Sequence, residues 1–259
     1  MARGALAVLA VLLLAGPWLT TDPLATDAAA LLEPPSRAHW FGTDALGRDI
    51  LARVVAAARL DLALAGAAVL AAATLGTLAG AAAGQRGGWP DALAGRLAEG
   101  LMAFPLFVVA LVLVAAMGHS VPGVVIATAL VNLPFYLRLA RAEARVLARA
   151  GFVEAARAGG AGEARILRRH LIPNLLPLIA VQGSVNLGWA VMNVAALSFL
   201  GLGVRPPQPE WGVMVAEGAR YLSTGEWWVA AFPGAALALT ILACNLAGDR
   251  LADRLAARA

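Results

Sequence analysis

Six stretches of predominantly apolar residues dominate this sequence. They span approximately residues 4–20, 61–84, 101–118, 120–137, 176–200 and 229–248. A transmembrane helix needs about 20 such residues, and the chain of 259 residues is 61% hydrophobic and only 14% charged. The sequence therefore predicts an all-α, polytopic membrane protein with about six transmembrane helices. Because the first stretch lacks a clean small-residue cleavage site before Thr20, we expect an uncleaved span rather than a secretory signal.

The arginines are distributed unevenly among the segments that connect these spans. If the N-terminus lies inside, the cytoplasmic segments carry 14 of the 20 arginines and the outer segments carry six. Basic residues concentrate in the cytoplasmic loops of membrane proteins, so we expect both termini to be cytoplasmic. The same loops explain the net charge of +4, which therefore indicates no nucleic-acid partner.

Several kinds of energy coupling lack their characteristic residues here. The chain contains no lysine, and a nucleotide-binding P-loop requires one to contact the phosphates. The spans contain no central ionisable residue, whereas ion-coupled transporters keep such groups at membrane depth. The single cysteine and three scattered histidines offer no metal site of known spacing: Cys244, His39, His119 and His170. We expect no catalytic residue and no cofactor or metal on this chain. A secondary transporter or channel without an ATPase is the alternative class.

One segment between two spans, residues 138–173, is charged and helix-forming. Its first part carries a stripe of arginines expected to face lipid headgroups: Arg138, Arg141, Arg145 and Arg149. A short helical piece around Glu154 follows, and glycines at 159, 160 and 162 predict a turn. A second helix is amphipathic, and Pro173 is expected to end it. Its apolar face carries Ile166, Leu167, His170 and Leu171. From the residues alone, docking into another protein and a purely structural loop are both open.

The charged segment also carries a recognisable motif. Residues 154–156 read EAA, Gly160 follows six positions after Glu154, and residues 170–174 read HLIPN. This pattern resembles the E-A-A-x3-G-x9-I-x-L-P loop of importer permeases of the ATP-binding cassette (ABC) class. Its ending is similar to the H-I-L-P-N variant of the dipeptide/oligopeptide/nickel subgroup.

Three further blocks resemble the same subgroup. The first block, at 42–53, reads GTDALGRDILAR and is similar to G-T-D-x-L-G-R-D-x-L-S-R. The second, at 197–204, reads LSFLGLGV and is similar to L-S-F-L-G-L-G. The third, at 245–249, reads NLAGD and is similar to N-x-x-G-D. The sequence departs from the family patterns at three positions: Ala52 in place of Ser, Gly159 in place of Leu, and Val194 where many relatives have Glu. Any role of that glutamate cannot be transferred to this chain.

The resemblance, which runs from about residue 39 to 254, implies a fold and a domain organisation. The fold would be that of type I ABC importer permeases. It would comprise a first transmembrane helix at 1–20, an extracytoplasmic segment with short helices at 21–60 and a core permease domain at 61–259. The core would include the cytoplasmic EAA coupling loop at 138–173.

The resemblance also implies partners and a mechanism. A second permease subunit, two ATPase subunits that bind ATP and Mg, and an extracytoplasmic substrate-binding protein would form the importer in the bacterial inner membrane. ATP-driven movement of the coupling loop would import di- or oligopeptides by alternating access, with a nickel chelate or glutathione as the alternative substrate. The residues that contact the ATPase would be Phe152, Glu154, Ala155, Ala156, Arg157 and Gly160.

The fifth predicted span carries three amides on one face. Gln182, Asn186 and Asn193 are spaced by four and seven residues. Amides in lipid are costly unless they face protein or a water-filled path. A translocation path and hydrogen bonding between helices are both open.

The outer segment 21–59 is long for a structureless loop. Residues 49–58 predict a short helix with apolar side chains, including Ile50, Val54 and Val55. Contact with a binding protein or sister permease, and a helix lying on the outer leaflet, are both open.

Overall fold

The computed structural model describes residues 22–118 and 120–256, and in these ranges the regular secondary structure is helical apart from one bridge between Thr43 and Asp49. The predicted first span at 4–20 and His119 lie outside the described residues. The helices are α1 (Ile50–Arg86), α2 (Gly88–Met102), α3 (Leu106–Met117), α4 (Val121–Leu147), α5 (Gly151–Ala158), α6 (Glu163–Ile166), α7 (Ile172–Phe199), α8 (Trp211–Ala219) and α9 (Trp228–Ala256). A π-helical turn at Leu167–Leu171 joins α6 to α7.

Four helical rods in the described part of the chain are long and apolar enough to cross a membrane: α1, α4, the continuous rod of α6 and α7, and α9. The pair α2 and α3 counts as a fifth crossing if it is taken as one span, but its two axes differ by 88°. The prediction of an all-α, polytopic membrane protein is confirmed.

The prediction of one unbroken span at 101–118 is wrong. The helix ends at Met102, and α3 restarts after Pro105 with only 12 residues. Proline has no amide hydrogen and disfavours helical backbone at the residue before it, which explains the break. A helix of 12 residues is about 18 Å long, shorter than the hydrocarbon core of a bilayer.

Helix α1 unites two predicted elements. The Asp49 carboxylate accepts a hydrogen bond from the Ala52 amide at 2.8 Å and caps the helix. The helix has 37 residues in total. It therefore runs without a break through residue 60, the predicted boundary between the outer segment and the core. Ile50, Val54 and Val55 are buried inside the protein. A helix lying on the outer leaflet is therefore the wrong interpretation for these residues.

Helices α1 and α4 pack backbone to backbone along three glycines. A Cβ atom at Gly76, Gly80 or Gly84 would lie 2.8, 2.3 or 2.3 Å from a carbonyl oxygen of α4. Small residues four apart allow such close approach between membrane helices. The G-x3-G-x3-G spacing at 76–84 is the sequence signal for this contact, and the sequence analysis missed it.

Helix α8 is fixed to the N-terminal half of α1 by buried polar contacts. The Trp211 indole donates to the Val54 carbonyl oxygen at 3.1 Å, and the Trp211 amide donates to Asp61 Oδ2 at 3.1 Å. Glu210 caps α8 by accepting from the Val213 amide at 2.7 Å. Both carboxylates are fully buried, and burial raises the pKa of Glu210 to about 7. Asp61, the first residue of the predicted span at 61–84, therefore belongs to the core of the fold.

A buried ion cluster joins the 42–53 motif to the same helix. Arg48 Nε donates to Asp44 Oδ2 at 2.7 Å, and Arg53 Nε lies 3.5 Å from the same oxygen. Glu217 on α8 contacts Arg48 at 3.5 Å and Arg53 at 3.4 Å. Removing one partner of a buried pair leaves an uncompensated charge and strongly destabilises a protein. The charged residues of this motif therefore hold the outer segment on α1 and α8.

Candidate functional site

Helix α5 presents most of the predicted coupling residues to solvent. Phe152, Glu154, Ala155 and Arg157 are exposed, and Ala156 is half-buried. The fully buried side chain of Val153 anchors the helix in the core. The exposed surface is thus rigidly attached to the body of the protein, yet its side chains remain accessible.

The end of α5 is a Schellman turn centred on Gly160. The Ala161 amide donates to the Ala156 carbonyl oxygen at 3.0 Å, and the Gly160 amide donates to that of Arg157 at 2.9 Å. Gly160 has a φ of +83°, whereas Gly159 has a φ of −78°. Of the predicted turn glycines, Gly160 is the one whose left-handed backbone favours glycine.

Glu163 connects the coupling residues to the end of α1. Arg157 Nε donates to Glu163 Oε1 at 2.9 Å, and Arg157 Nη1 donates to the Ala148 carbonyl oxygen at 3.1 Å. Gln85 donates to both the side chain and the backbone carbonyl oxygen of Glu163. Gln85 and Glu163 were not predicted, because a contact between residues 78 positions apart leaves no local pattern in the sequence. These hydrogen bonds link α5 to the last turn of α1 through Glu163.

The second helix of the segment is amphipathic as predicted. Ile166 and Leu171 are fully buried, whereas Arg165, Arg168 and Arg169 are exposed. Pro173 does not end it, because the rod continues from Glu163 to Phe199. The ring of Pro173 and its missing amide hydrogen would disrupt the ordinary α-helical hydrogen bonds at this point. A π-helical turn lies directly before the proline and widens the helix there.

The arginine stripe on α4 is partly a contact between helices. Arg141 donates from Nε and Nη2 to the two carboxylate oxygens of Asp91 on α2, at 2.7 and 3.1 Å. Arg145 lies 3.4 Å from the same carboxylate, and the Arg141 side chain is only 19% exposed. The expectation that the whole stripe faces headgroups is wrong for Arg141, although Arg138 and Arg149 are exposed.

The three amides on α7 lie mainly inside the protein. Gln182 Nε2 donates to Asn186 Oδ1 at 2.8 Å within the helix. Asn186 and Asn193 are 6% and 2% exposed. Within the part of the chain that the structure describes, neither amide atom of Asn193 has a hydrogen-bond partner, and Asn186 Nδ2 has none.

A matching row of polar residues on α4 was missed by the sequence analysis. Thr128, Asn132 and Tyr136 are buried and recur every four residues, so they share one face of α4. Tyr136 meets α7 beside Gly183, where a Cβ atom would lie 3.7 Å from the Tyr136 hydroxyl. Thr128 Oγ1, Asn132 Oδ1 and the Tyr136 hydroxyl also lack partners among the described residues. We call Thr128, Asn132, Tyr136, Asn186 and Asn193 the polar seam.

The described residues contain no group of three or more histidine, cysteine or acidic side chains arranged to hold a metal ion. The free thiol of Cys244 is buried. The geometry offers an exposed helix, α5, and a buried polar seam.

Residues 76–259 match a family described as the binding-protein-dependent transport system inner membrane component. The chain belongs to this family. The resemblance to the ABC importer permeases is thereby confirmed. As a member of this family, the chain is a transport permease subunit and not an enzyme.

Curated relatives within the family are similar over most of their length. The probable D,D-dipeptide transport system permease protein DdpC of Escherichia coli K12 is 42% identical over 247 residues, covering 95% of this chain and 82% of the relative. The dipeptide transport system permease protein DppC of Alkalihalophilus pseudofirmus is 41% identical over 240 residues, covering 92% and 79%. The glutathione transport system permease protein GsiD of Pectobacterium atrosepticum is 42% identical over 229 residues, covering 88% and 76%.

Proposed function

We propose that this permease is one of two membrane subunits of an ATP-driven importer of di- or oligopeptides. The observation that carries the proposal is the exposed EAA helix α5, which is anchored by Val153 and joined to α1 through Glu163. Phe152, Glu154, Ala155, Ala156, Arg157 and Gly160 form the surface that an ATPase subunit contacts. Movement of α5 then shifts the membrane helices between outward- and inward-open arrangements.

The proposed complex contains a second permease, two ATPase subunits that bind ATP and Mg, and an extracytoplasmic substrate-binding protein. We place the chain in the bacterial inner membrane with both termini in the cytoplasm, because the predicted inner segments carry most of the arginines. Residues 1–20 form the first span, 21–60 the extracytoplasmic segment and 61–259 the core with its coupling loop at 138–173.

Peptides are the proposed substrate class because relatives more than 40% identical are named as dipeptide permeases. Glutathione, itself a small peptide, is the second candidate, since a similarly close relative is named as a glutathione permease. The binding protein selects the substrate, so both candidates use the same coupling surface.

Reconstituted uptake tests this function. The complete importer in proteoliposomes should accumulate a labelled dipeptide only when ATP and the binding protein are both present. An excess of unlabelled glutathione separates the two substrate candidates by competition. Uptake that persists without ATP and follows an ion gradient would contradict the proposal.

A substitution on α7 distinguishes a packing role from a path role for the amide face. Gln182, Asn186 and Asn193 are proposed to pack, because the two asparagines are buried inside this chain. Asn186→Leu removes the acceptor of the Gln182 amide, so it should lower thermal stability by about 1 kcal/mol and lower uptake with it. Stability is measured on the purified complex and uptake on proteoliposomes. Lost uptake with unchanged stability would instead assign this face to the translocation path.

A further inference from the structure

A basic pocket lies where α1 ends, α2 begins and α4 meets α5. Its volume is about 300 Å³. Its charged and polar lining comprises Gln85, Arg86, Asp91, Arg145, Arg149 and Arg157. Four of these side chains are guanidinium groups, which bind phosphate oxygens through paired N–H donors.

The local acidic groups leave this pocket with an excess of positive charge. Asp91 is shared between Arg141 at 2.7 Å and Arg145 at 3.4 Å, and Glu163 pairs with Arg157. Arg86 and Arg149 have no ion pair within the described residues. An anion would therefore meet at least two unneutralised guanidinium groups.

An exposed apolar ridge lies on the helix that begins at this pocket. Trp89, Leu93 and Leu97 recur every four residues on α2 and are 76%, 47% and 58% exposed. Trp89 directly follows Gly88, which lines the pocket. Because α2 is bent by 88° from α3, this ridge belongs to a helix that does not run along the adjoining membrane segment. Tryptophan favours the headgroup level of a bilayer.

We propose that the basic pocket binds the phosphate of an anionic phospholipid of the cytoplasmic leaflet, with the acyl chains lying along the ridge of Trp89, Leu93 and Leu97. The pocket supplies positive charge for the phosphate, and the ridge supplies apolar surface for the acyl chains. A free anion has no acyl chains and could not contact the ridge. Basic pockets between membrane helices on the cytoplasmic side suit anionic headgroups. The leaflet assignment rests on the orientation given under the proposed function.

Titration of the purified importer with phosphatidylglycerol, followed by native mass spectrometry, tests the pocket. The double variant Arg145→Gln/Arg149→Gln should bind phosphatidylglycerol about 30-fold more weakly than the unmodified complex, at about fivefold per arginine. Phosphatidylcholine with the same acyl chains should bind all forms equally weakly. The matched control Arg168→Gln/Arg169→Gln removes the same charge from exposed residues outside the pocket and should bind phosphatidylglycerol normally.

Two further arms separate a lipid from other occupants. Leu93→Gln/Leu97→Gln should weaken lipid binding, and inorganic phosphate at equal concentration should not displace the lipid, because phosphate cannot use the ridge. Unchanged affinity in the arginine variant, or displacement by phosphate, would overturn the proposal. Loss of the lipid when the ATPase subunits bind would overturn it too, because the pocket would then be a subunit contact.

Thiol labelling tests the orientation independently. In a Cys244→Ala background, Arg168→Cys, which is exposed and outside the pocket, should react with an impermeant reagent only after the membrane is opened, whereas Gln208→Cys should react in intact cells. Reversed labelling with normal lipid binding would contradict the assignment of the pocket to the cytoplasmic leaflet. Lipid binding in the pocket itself would still be supported. If the labelling is as expected but the arginine variant binds lipid normally, the proposed lipid site in the pocket is wrong. The assigned membrane orientation would then still stand.

Discussion

Gly80→Ala should sharply reduce recovery of the folded permease, whereas Gly66→Ala on the same helix should leave it unchanged. The new Cβ atom at position 80 would lie 2.3 Å from the Leu137 carbonyl oxygen, and no flexible side chain is there to move aside. Forcing α1 and α4 apart should cost at least about 1–3 kcal/mol, the usual range for overpacking. Fluorescence-detected size exclusion gives the recovery, and a heating series gives the midpoint of unfolding.

Gly66 is a matched control because a Cβ atom there would meet nothing within 4 Å. Alanine also favours helix over glycine by about 1 kcal/mol, so the two substitutions should change stability in opposite directions. Equal recovery and equal midpoints for both variants would contradict the close packing of α1 and α4.

Uptake by the reconstituted importer should fall by an order of magnitude or more when Glu154 is replaced by arginine. Glu154 is exposed and its side chain makes no hydrogen bond or ion pair within the described residues. The charge reversal should therefore leave the fold intact and disturb docking of the ATPase. Glu99→Arg, which reverses another exposed glutamate, is the control for the charge change itself. Uptake, ATPase stimulation and complex recovery are measured together, and normal uptake by Glu154→Arg would contradict the coupling role.

The turn after α5 offers a paired test of the same surface. Gly160→Val should impair coupling and Gly160→Asn should largely preserve it. Both side chains enter open space, so they differ in tolerance of the φ of +83° rather than in contacts. Asparagine adopts left-handed backbone far more readily than a β-branched residue. Equal uptake by the two variants would show that the turn geometry does not matter for coupling.

The pattern of apolar residues predicted the helices well wherever a single helix forms a single membrane span. The predicted segment at 229–248 lies within α9, and the burial pattern of Ile166 and Leu171 agrees with the amphipathic helix read from the sequence. Composition alone could not place the break before α3, although Pro105 was a local signal for it. Nor could a hydropathy pattern show that α1 begins at Ile50, since its first turns contain buried charge.

The candidate site was predictable in its local parts only. The EAA motif located α5, and helical spacing located the amides on α7. The contacts that join α5 to the body, from Gln85 to Glu163, connect residues far apart in the chain and follow from the packing of α1 beside the loop. The polar row on α4 did have a signal in the sequence, a repeat every four residues at Thr128, Asn132 and Tyr136.

The uninterrupted course of α1 has a mechanical consequence. Its 37 residues give a length of about 55 Å, more than the full thickness of a bilayer. Its C-terminal end contacts Glu163, its glycines at 76–84 pack against α4 close to that end, and its N-terminal end carries the ion cluster with α8. A rigid tilt of α1 about Gly80 would make the helix a lever with a short C-terminal arm and a long N-terminal arm, about 8 Å to Gln85 and about 45 Å to Ile50. A displacement of about 1 Å beside α5 would then become several ångströms at Ile50, so under the proposed coupling role a small movement of α5 would suffice for a large movement at the other end of α1.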